Sequence, residues 1–151
     1  MVMTPALAET LAMIAQAAVD SADDWWIIGS AAIVLHGRSV AHVKDVDLLM
    51  SAADAAAFLE RVGVPVRAGP ADARFRSLVF GLWREPPIPV EVMGGFSVAN
   101  DGGWREVALA TREPVSVAGA SIFVPSAEEL VRLLHTFGRP KDLDRAQLLQ
   151  P

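Results

Sequence analysis

The sequence predicts an α/β (α+β) fold with a mixed central sheet flanked by helices and two short helices at the C-terminal end. Helix and strand patterns alternate over roughly the first 60 residues, strand patterns dominate the middle, and the remainder is helical. Hydrophobic residues make up 52% of the 151-residue chain, which is enough for a substantial core. We expect one domain over 1–151, with a core over about 20–124 and C-terminal helices over about 126–149.

Capping and turn signals place the elements of the first half. Thr4-Pro5 is typical of a helix start, and apolar side chains at helical spacing carry that helix to residue 19. Ser51, with Asp54 three residues later, predicts a capping box, and Gly63 ends the helix that follows. The predicted order after the first helix is a strand over 25–28, a short helix over 30–36, a strand over 45–50 and a helix over 52–61.

Strand patterns dominate the second half until the last two helices begin. Gly69-Pro70 predicts a turn between two of these strands. Ser126, with Glu129 three residues later, predicts a capped helix, and Pro140 begins the last one. The other predicted elements are strands over 64–68, 75–82 and 88–93, a loop over 97–105, a short helix over 104–111, and a hairpin with strands 115–117 and 121–124.

The first candidate site is the turn at Gly29-Ser30, which follows an apolar strand and opens a short helix. Free backbone N–H groups and the helix dipole make such a turn a favourable place for a phosphate. An ordinary turn with a helix cap is the structural alternative. The turn becomes informative in combination with the charged residues further along the chain.

Three carboxylates follow on two predicted strands. Asp45 and Asp47 are two residues apart, so strand alternation places both on one face, where their like charges favour a bound divalent cation. Glu91 lies in the middle of an apolar strand. A lone carboxylate in such a strand indicates a metal ligand, a general base, or an ion pair with an arginine such as Arg74 or Arg76.

Basic residues lie near these carboxylates or in the last helix. Lys44 directly precedes Asp45, and strand alternation points its side chain to the opposite side from the carboxylates. It is either a solvated charge or a contact for a triphosphate. Lys141 and Arg145 are four residues apart on one helix face, close to Arg139. This group is either a solvated face or a contact for a nucleotide or an acceptor.

These motifs, in this order, resemble the polymerase-beta-like nucleotidyltransferase superfamily, in particular its small bacterial branch of minimal nucleotidyltransferases and abortive-infection toxins. Gly29-Ser30 match the family's phosphate-binding turn, and Asp45 and Asp47 match its Asp-x-Asp metal pair. Glu91 matches the third carboxylate by position and context. The resemblance covers roughly residues 20–149, because the tail is similar to the C-terminal helices of the toxin-like branch.

The resemblance implies an Mg²⁺- or Mn²⁺-dependent transfer of a nucleoside monophosphate from an NTP to an acceptor hydroxyl, with pyrophosphate leaving. The acceptor is left open between a small molecule, a tRNA and a protein. The residues that the resemblance assigns to catalysis and metal binding are Asp45, Asp47 and Glu91. Those that it assigns to the nucleotide are Gly29 and Ser30, and we add Lys44 as a candidate.

Two other functions fit the same residues. One is a non-catalytic binding or regulatory protein with this fold, such as a component of a toxin–antitoxin or defence pair, in which a homodimer or a small helical partner completes the cleft. The other is modification of an aminoglycoside, which requires an acidic acceptor pocket; a sequence pI near 5.1 permits one. The net charge of −5 disfavours a large nucleic-acid partner, because such partners normally meet a basic stripe.

Composition excludes several classes of site. The chain has no cysteine, so disulfides, thiolate zinc sites and a cysteine nucleophile are absent. Residues 1–10 lack the basic start of a signal peptide, and no apolar run approaches the roughly 20 residues that a membrane span needs. We therefore expect a cytoplasmic protein without a membrane partner.

Overall fold

The computed structural model describes residues 2–69 and 72–150, and its elements follow the predicted order closely. The predicted turn at Gly69-Pro70 lies partly outside the described residues. The elements are α1 (Pro5–Ala17), β1 (Trp26–Ile28), α2 (Gly29–Leu35), β2 (Val46–Met50), α3 (Ala52–Val62), β3 (Phe75–Trp83), β4 (Val90–Asn100), β5 (Gly103–Glu106), β6 (Glu113–Val117), β7 (Ala120–Val124), α4 (Ala127–Phe137) and α5 (Pro140–Leu149).

The main sheet has the strand order β1-β2-β4-β3, and β5 adds to the far part of β4. Strand β2 runs parallel to β4 and antiparallel to β1, which makes the sheet mixed, as the sequence predicts. The register sets Asp47 directly opposite Glu91 on one side and opposite Ile28 on the other. The order of strands therefore places the end of β1, the aspartates and Glu91 side by side.

Helix α3 packs closely on β3 and β4 of the main sheet, and α1 packs against α3 and the β6–β7 hairpin. A Cβ atom at Gly94 would lie 2.6 Å from the Ala55 Cβ, so only glycine lets α3 approach β4 this closely. On α1, the fully buried side chains Leu7, Leu11 and Ile14 recur at helical spacing. The core thus holds the strands that carry the candidate residues in fixed register.

Three local predictions are wrong, and each has a physical reason. Residues 64–68 make only one isolated bridge, between Arg67 and Phe80, because Pro65 has no N–H to donate to a strand ladder. Residues 97–105 are no loop, because β4 continues to Asn100 and returns as β5 through a two-residue Asp101-Gly102 turn. The helix expected over 104–111 is replaced by β5 and an irregular segment.

The two C-terminal helices are as predicted. The Ser126 side chain caps α4 by accepting a hydrogen bond from the Glu129 N–H at 3.1 Å, and Gly138 ends the helix in the left-handed conformation. Helix α5 begins at Pro140 immediately afterwards and packs against α4 and α2. Within the described ranges, no helix is long and apolar enough to cross a membrane.

Candidate active site

A cavity of about 350 Å³ opens where β1 passes into α2, and it gathers residues from distant parts of the chain. All three predicted carboxylates line it, together with Ser30 and Lys44. Helix α5 contributes a further part of its wall through basic side chains. The geometry therefore brings most of the sequence-predicted site residues together around one space.

Asp47 and Glu91 form the centre of the cavity. They face each other in register across β2 and β4, and their side chains share a hydrogen bond. Burial raises the pKa of Asp47 well above its ordinary value, and the charge and hydrogen bond of Glu91 raise it further. Two carboxyl groups held this close repel each other when both are ionised, so the pair favours a bound positive charge.

Asp45 and Arg145 act on the same carboxyl group in opposite directions. The charge of Asp45 adds to the increase in the Asp47 pKa, whereas the Arg145 guanidinium on α5 lowers it. Lys44 also lines the cavity, although strand alternation predicted that its side chain points to the opposite side. Strand alternation does not govern residue 44, because β2 begins only at Val46.

Gly29 and Ser30 border the aspartates directly. Gly29 has a φ of +71°, and a Cβ atom there would overlap the Oδ2 atom of Asp47, so glycine is required for both reasons. Ser30 is 6% exposed and lines the cavity. The sequence assigned Gly29 to phosphate binding; the structure adds that its missing side chain makes room for the Asp47 carboxylate.

Helix α5 presents three cations to the cavity, namely Arg139, Lys141 and Arg145. The fully buried Asp142 carboxylate accepts hydrogen bonds from Arg139 Nε at 2.6 Å and Nη2 at 2.9 Å, and lies 4.0 Å from Arg145 Nη1. Lys141 is exposed and makes no ion pair among the described residues. Arg139 and Arg145 are therefore held by Asp142, whereas Lys141 stays exposed to solvent.

Sequence reasoning missed one side of the cavity. Arg76 and Asp72 line it, and so do aromatic rings that pack together, which are Phe75, Phe96 and Phe137. Arg76 was considered only as a partner for Glu91, but no ion pair joins Glu91 to Arg74 or Arg76 in residues 2–69 and 72–150. These residues are far apart in sequence from the aspartates, so only the fold could reveal them.

The donor set fits a hard divalent cation in its chemistry. Carboxylate oxygens are the ligands that Mg²⁺ and Mn²⁺ prefer, and the facing Asp47 and Glu91 place like charges side by side where a cation would relieve their repulsion. Across the described residues, no three Asp, Glu or His side chains already stand close enough to form a metal cluster. The strands therefore supply the donors without enclosing an ion completely.

Solved structures with the same architecture are nucleotidyltransferases. TM1012 from Thermotoga maritima, provisionally described as a nucleotidyltransferase, matches with a TM-score of 0.79 at 23% identity over 97% of this chain and 93% of its own. This chain has the polymerase-beta-like nucleotidyltransferase fold. The fold that the sequence resemblance implied is thereby confirmed.

Two antibiotic-modifying proteins share this nucleotidyltransferase fold. The antibiotic-resistance factor ANT(2'')-Ia matches with a TM-score of 0.61 at 16% identity over 97% of this chain and 84% of its own. The lincosamide adenylyltransferase LnuA, solved with lincomycin bound, matches with a TM-score of 0.57 at 18% identity over 93% of this chain and 94% of its own. No protein-family model and no curated protein matches the sequence.

Proposed function

We propose that this protein is a nucleotidyltransferase that transfers a nucleoside monophosphate from an NTP to an acceptor hydroxyl with Mg²⁺ or Mn²⁺. The observation that carries the proposal is the Asp47–Glu91 pair, which lies in register beside the Gly29-Ser30 turn in a cavity lined by Lys141 and Arg145 of α5. Likeness in fold to the adenylyltransferase LnuA supports the same class of reaction.

The turn and the basic side chains would bind the triphosphate. Backbone N–H groups at Gly29-Ser30 and the Ser30 hydroxyl would donate hydrogen bonds to phosphate oxygens, and Ser30 lines the cavity. Lys44, Lys141 and Arg145 line the same cavity and offset the negative charge that a triphosphate brings. Since Asp142 holds Arg145, that cation is oriented before the nucleotide arrives.

Asp45, Asp47 and Glu91 would hold the divalent cation through their carboxylate oxygens. When bound, the cation stabilises negative charge that develops on the phosphate oxygens. Glu91 then accepts the proton of the acceptor hydroxyl, whose oxygen forms the new bond to the α-phosphorus. The bond from the α-phosphorus to the bridging oxygen breaks, and pyrophosphate leaves with that electron pair.

The first test is a calorimetric titration of the purified protein with ATP, GTP, CTP and UTP, each with and without Mg²⁺. We expect binding of at least one NTP that requires both the metal and the aspartates, so the Asp45→Asn/Asp47→Asn variant should lose it. Asp144→Asn on the exposed side of α5 is the matched control and should bind like the wild type. Equal NTP affinity in the double aspartate variant would contradict the proposal.

If the protein is instead a non-catalytic binding or regulatory protein, it should bind NTP but release no pyrophosphate with any acceptor that is tested. A pyrophosphate assay on the same preparation separates it from a working enzyme. Aminoglycosides belong among the tested acceptors because of the fold likeness to ANT(2'')-Ia. The single domain, the cytoplasmic location and a homodimeric or small helical partner stay predictions.

A further inference from the structure

A second cavity, of about 360 Å³, lies between the β4–β5 hairpin and α4. Among the described residues, none lines both this cavity and the candidate active site, and the proposed reaction uses none of its lining. We call this second cavity the α4–β5 groove. Its lining includes Val98, Arg105, Val107, Ala108, Arg132 and Leu133.

Strand β5, which lines the groove, is an open edge of the main sheet. Among the described strands it pairs with β4 alone, and all four of its residues are exposed. Directly after β5, the Val107 N–H donates a hydrogen bond to the Phe96 carbonyl of β4 at 2.8 Å. Because alternate residues of an antiparallel strand bond to opposite sides, the N–H and C=O groups of Glu106 and Ala108 point away from β4.

The chain that follows β5 also carries free main-chain groups. Ala108 and Leu109 line the groove, and within the part of the chain that the structure describes their N–H and C=O groups make no hydrogen bond. The next two N–H groups, of Ala110 and Thr111, donate to the Glu129 carboxylate. A row of free backbone donors and acceptors along an exposed edge is the template on which an extended peptide adds as a further strand.

The side chains of the groove favour a peptide with apolar and acidic residues. Val98 and Leu133 are buried and form an apolar floor. Arg105, which lies opposite Val98 in register, and Arg132 on α4 supply two guanidinium groups. Arg105 makes no ion pair within residues 2–69 and 72–150, and Arg132 meets only the exposed Glu128, at 3.4 Å. A carboxylate that enters the groove would therefore find a free positive charge.

Two carboxylates of the lining leave this positive charge available. The Glu129 carboxylate is occupied by its hydrogen bonds from Ala110 and Thr111. Glu106 follows Arg105 directly on β5, so strand alternation points its side chain to the opposite face of the sheet. The groove face of β5 thus presents Arg105 without a neighbouring acid.

A second copy of this chain fits the open edge less well than a different chain. Two copies of β5 would pair antiparallel about a two-fold axis. An axis through the middle of the edge sets either Arg105 opposite Arg105 or Glu106 opposite Glu106. Like charges directly opposite each other destabilise a pair of strands.

We propose that the α4–β5 groove binds an extended segment of a partner protein, which adds to β5 as a further strand and places acidic and apolar side chains against α4. Hydrogen bonds to the main chain of Glu106 and Ala108 would hold the segment. One acidic side chain would meet Arg105, and an apolar one would cover Val107 and Leu133. The proposal is independent of the nucleotidyltransferase reaction, because the groove and the active-site cavity are lined by different residues.

The test is fluorescence anisotropy of the full chain with labelled seven-residue peptides, in which threonine alternates with glutamate, valine or leucine in every combination. The tightest binders should carry both glutamate and an apolar residue. Lysine in place of glutamate should weaken the binding of the best peptide at least about tenfold, because it meets the arginines of the groove.

N-methylation of the best peptide at alternate residues distinguishes strand addition from other modes of binding. Methylation of the set whose N–H groups face β5 should weaken binding at least about tenfold, whereas methylation of the other set should change it by less than about twofold. These peptides are used with the wild-type protein, so the result does not depend on the folding of any variant.

Two pairs of variants test the protein side of the contact. Ala108→Pro removes a free N–H and should weaken binding at least about fivefold, whereas Ala108→Ser keeps the N–H and should bind like the wild type. Arg105→Gln/Arg132→Gln should also weaken binding at least about fivefold. Arg38→Gln/Arg84→Gln removes equal charge from exposed positions elsewhere and should bind like the wild type.

Several results would overturn the proposal: no binding of any peptide, tightest binding by peptides that lack glutamate, equal losses from methylation of either set, or equal losses in the Arg38/Arg84 control. Light scattering of the protein alone tests for a second copy at the same edge. A doubled mass that Ala108→Pro returns to that of the monomer would also overturn the proposal, because the edge would then be an interface between copies of this chain.

Discussion

Glu129 and Asp47 are two carboxylates enclosed by the same fold, and their surroundings have opposite effects on them. Glu129 accepts hydrogen bonds from the N–H groups of Ala110 and Thr111, both at 2.8 Å, and from the Thr111 hydroxyl. Asp47 faces Glu91 and Asp45 instead. One carboxylate is surrounded by donors, whereas the other is surrounded mainly by like charges.

The pKa values follow from these surroundings. Burial alone would raise the pKa of Glu129, but the hydrogen bonds from Ala110 and Thr111 outweigh it and lower the pKa. Burial raises the pKa of Asp47, and Glu91 raises it further. The fold thus provides hydrogen-bond donors for Glu129 but leaves Asp47 and Glu91 without a compensating positive charge between them. Carboxylates with perturbed pKa values in a cavity are typical of functional sites.

The largest expected effect comes from Asp47→Asn. Under the proposed function this change lowers metal-dependent NTP turnover by more than about 100-fold, because a first ligand should exceed the cost of outer-shell changes. The same change should raise the free energy of unfolding of the metal-free protein at neutral pH, since the amide carries no charge to bury. Pyrophosphate release measures the turnover, and urea denaturation measures the free energy of unfolding. A variant less stable than the wild type would contradict the expected gain in stability.

Glu129→Gln should lower the stability of the protein rather than its NTP turnover. It removes the charge that three donors share, so the free energy of unfolding should fall by about 1.5–3 kcal/mol. Urea denaturation measures this, with NTP binding expected to persist at wild-type affinity once folding is complete. Glu128→Gln is the matched control, because Glu128 is the exposed neighbour and should leave stability nearly unchanged.

The pH dependence of stability should separate the two carboxylates by sign. Glu129 has a lowered pKa, so its stabilising contribution is present above its ordinary pKa and is lost as pH falls through the folded value. Asp47 has a raised pKa, so metal-free stability falls as pH rises from the ordinary value through the folded one. Urea denaturation between acidic and neutral pH measures how the free energy of unfolding changes with pH. The contribution of Glu129 should disappear in Glu129→Gln and that of Asp47 in Asp47→Asn. An unchanged pH dependence in either variant would refute the pKa direction given for that residue.

The smallest expected effect is the difference in stability between two glycine variants. Gly29 and Gly37 both have positive φ, at +71° and +82°, so replacement by Ala costs about 1–2 kcal/mol at either position. Only Gly29 contacts Asp47, so Gly29→Ala should cost about 1 kcal/mol more than Gly37→Ala. Thermal or urea unfolding of both variants isolates this contact, and equal losses would show that Asp47 does not need the space.

Local patterns predicted much of the fold. The capped start of α4 and the beginning of α5 at Pro140 depend on neighbouring residues alone, and both are as predicted. The strand expected over 64–68 is wrong because one proline removed a donor that pairing required. The loop expected over 97–105 is wrong because β4 and β5 pair on both sides of the two-residue turn at 101–102, and this pairing gives little local signal.

The sequence by itself determined which chemistry is available: a Gly29-Ser30 turn, two aspartates on one strand and a glutamate in a later one. These signals are local, since each depends on the spacing of a few residues. Only the tertiary structure decided that Asp47 faces Glu91, and that Lys44 and the basic residues at the start of α5 line the same cavity as the carboxylates. Such contacts join residues far apart in the chain, and strand register and helix packing bring them together rather than any local pattern.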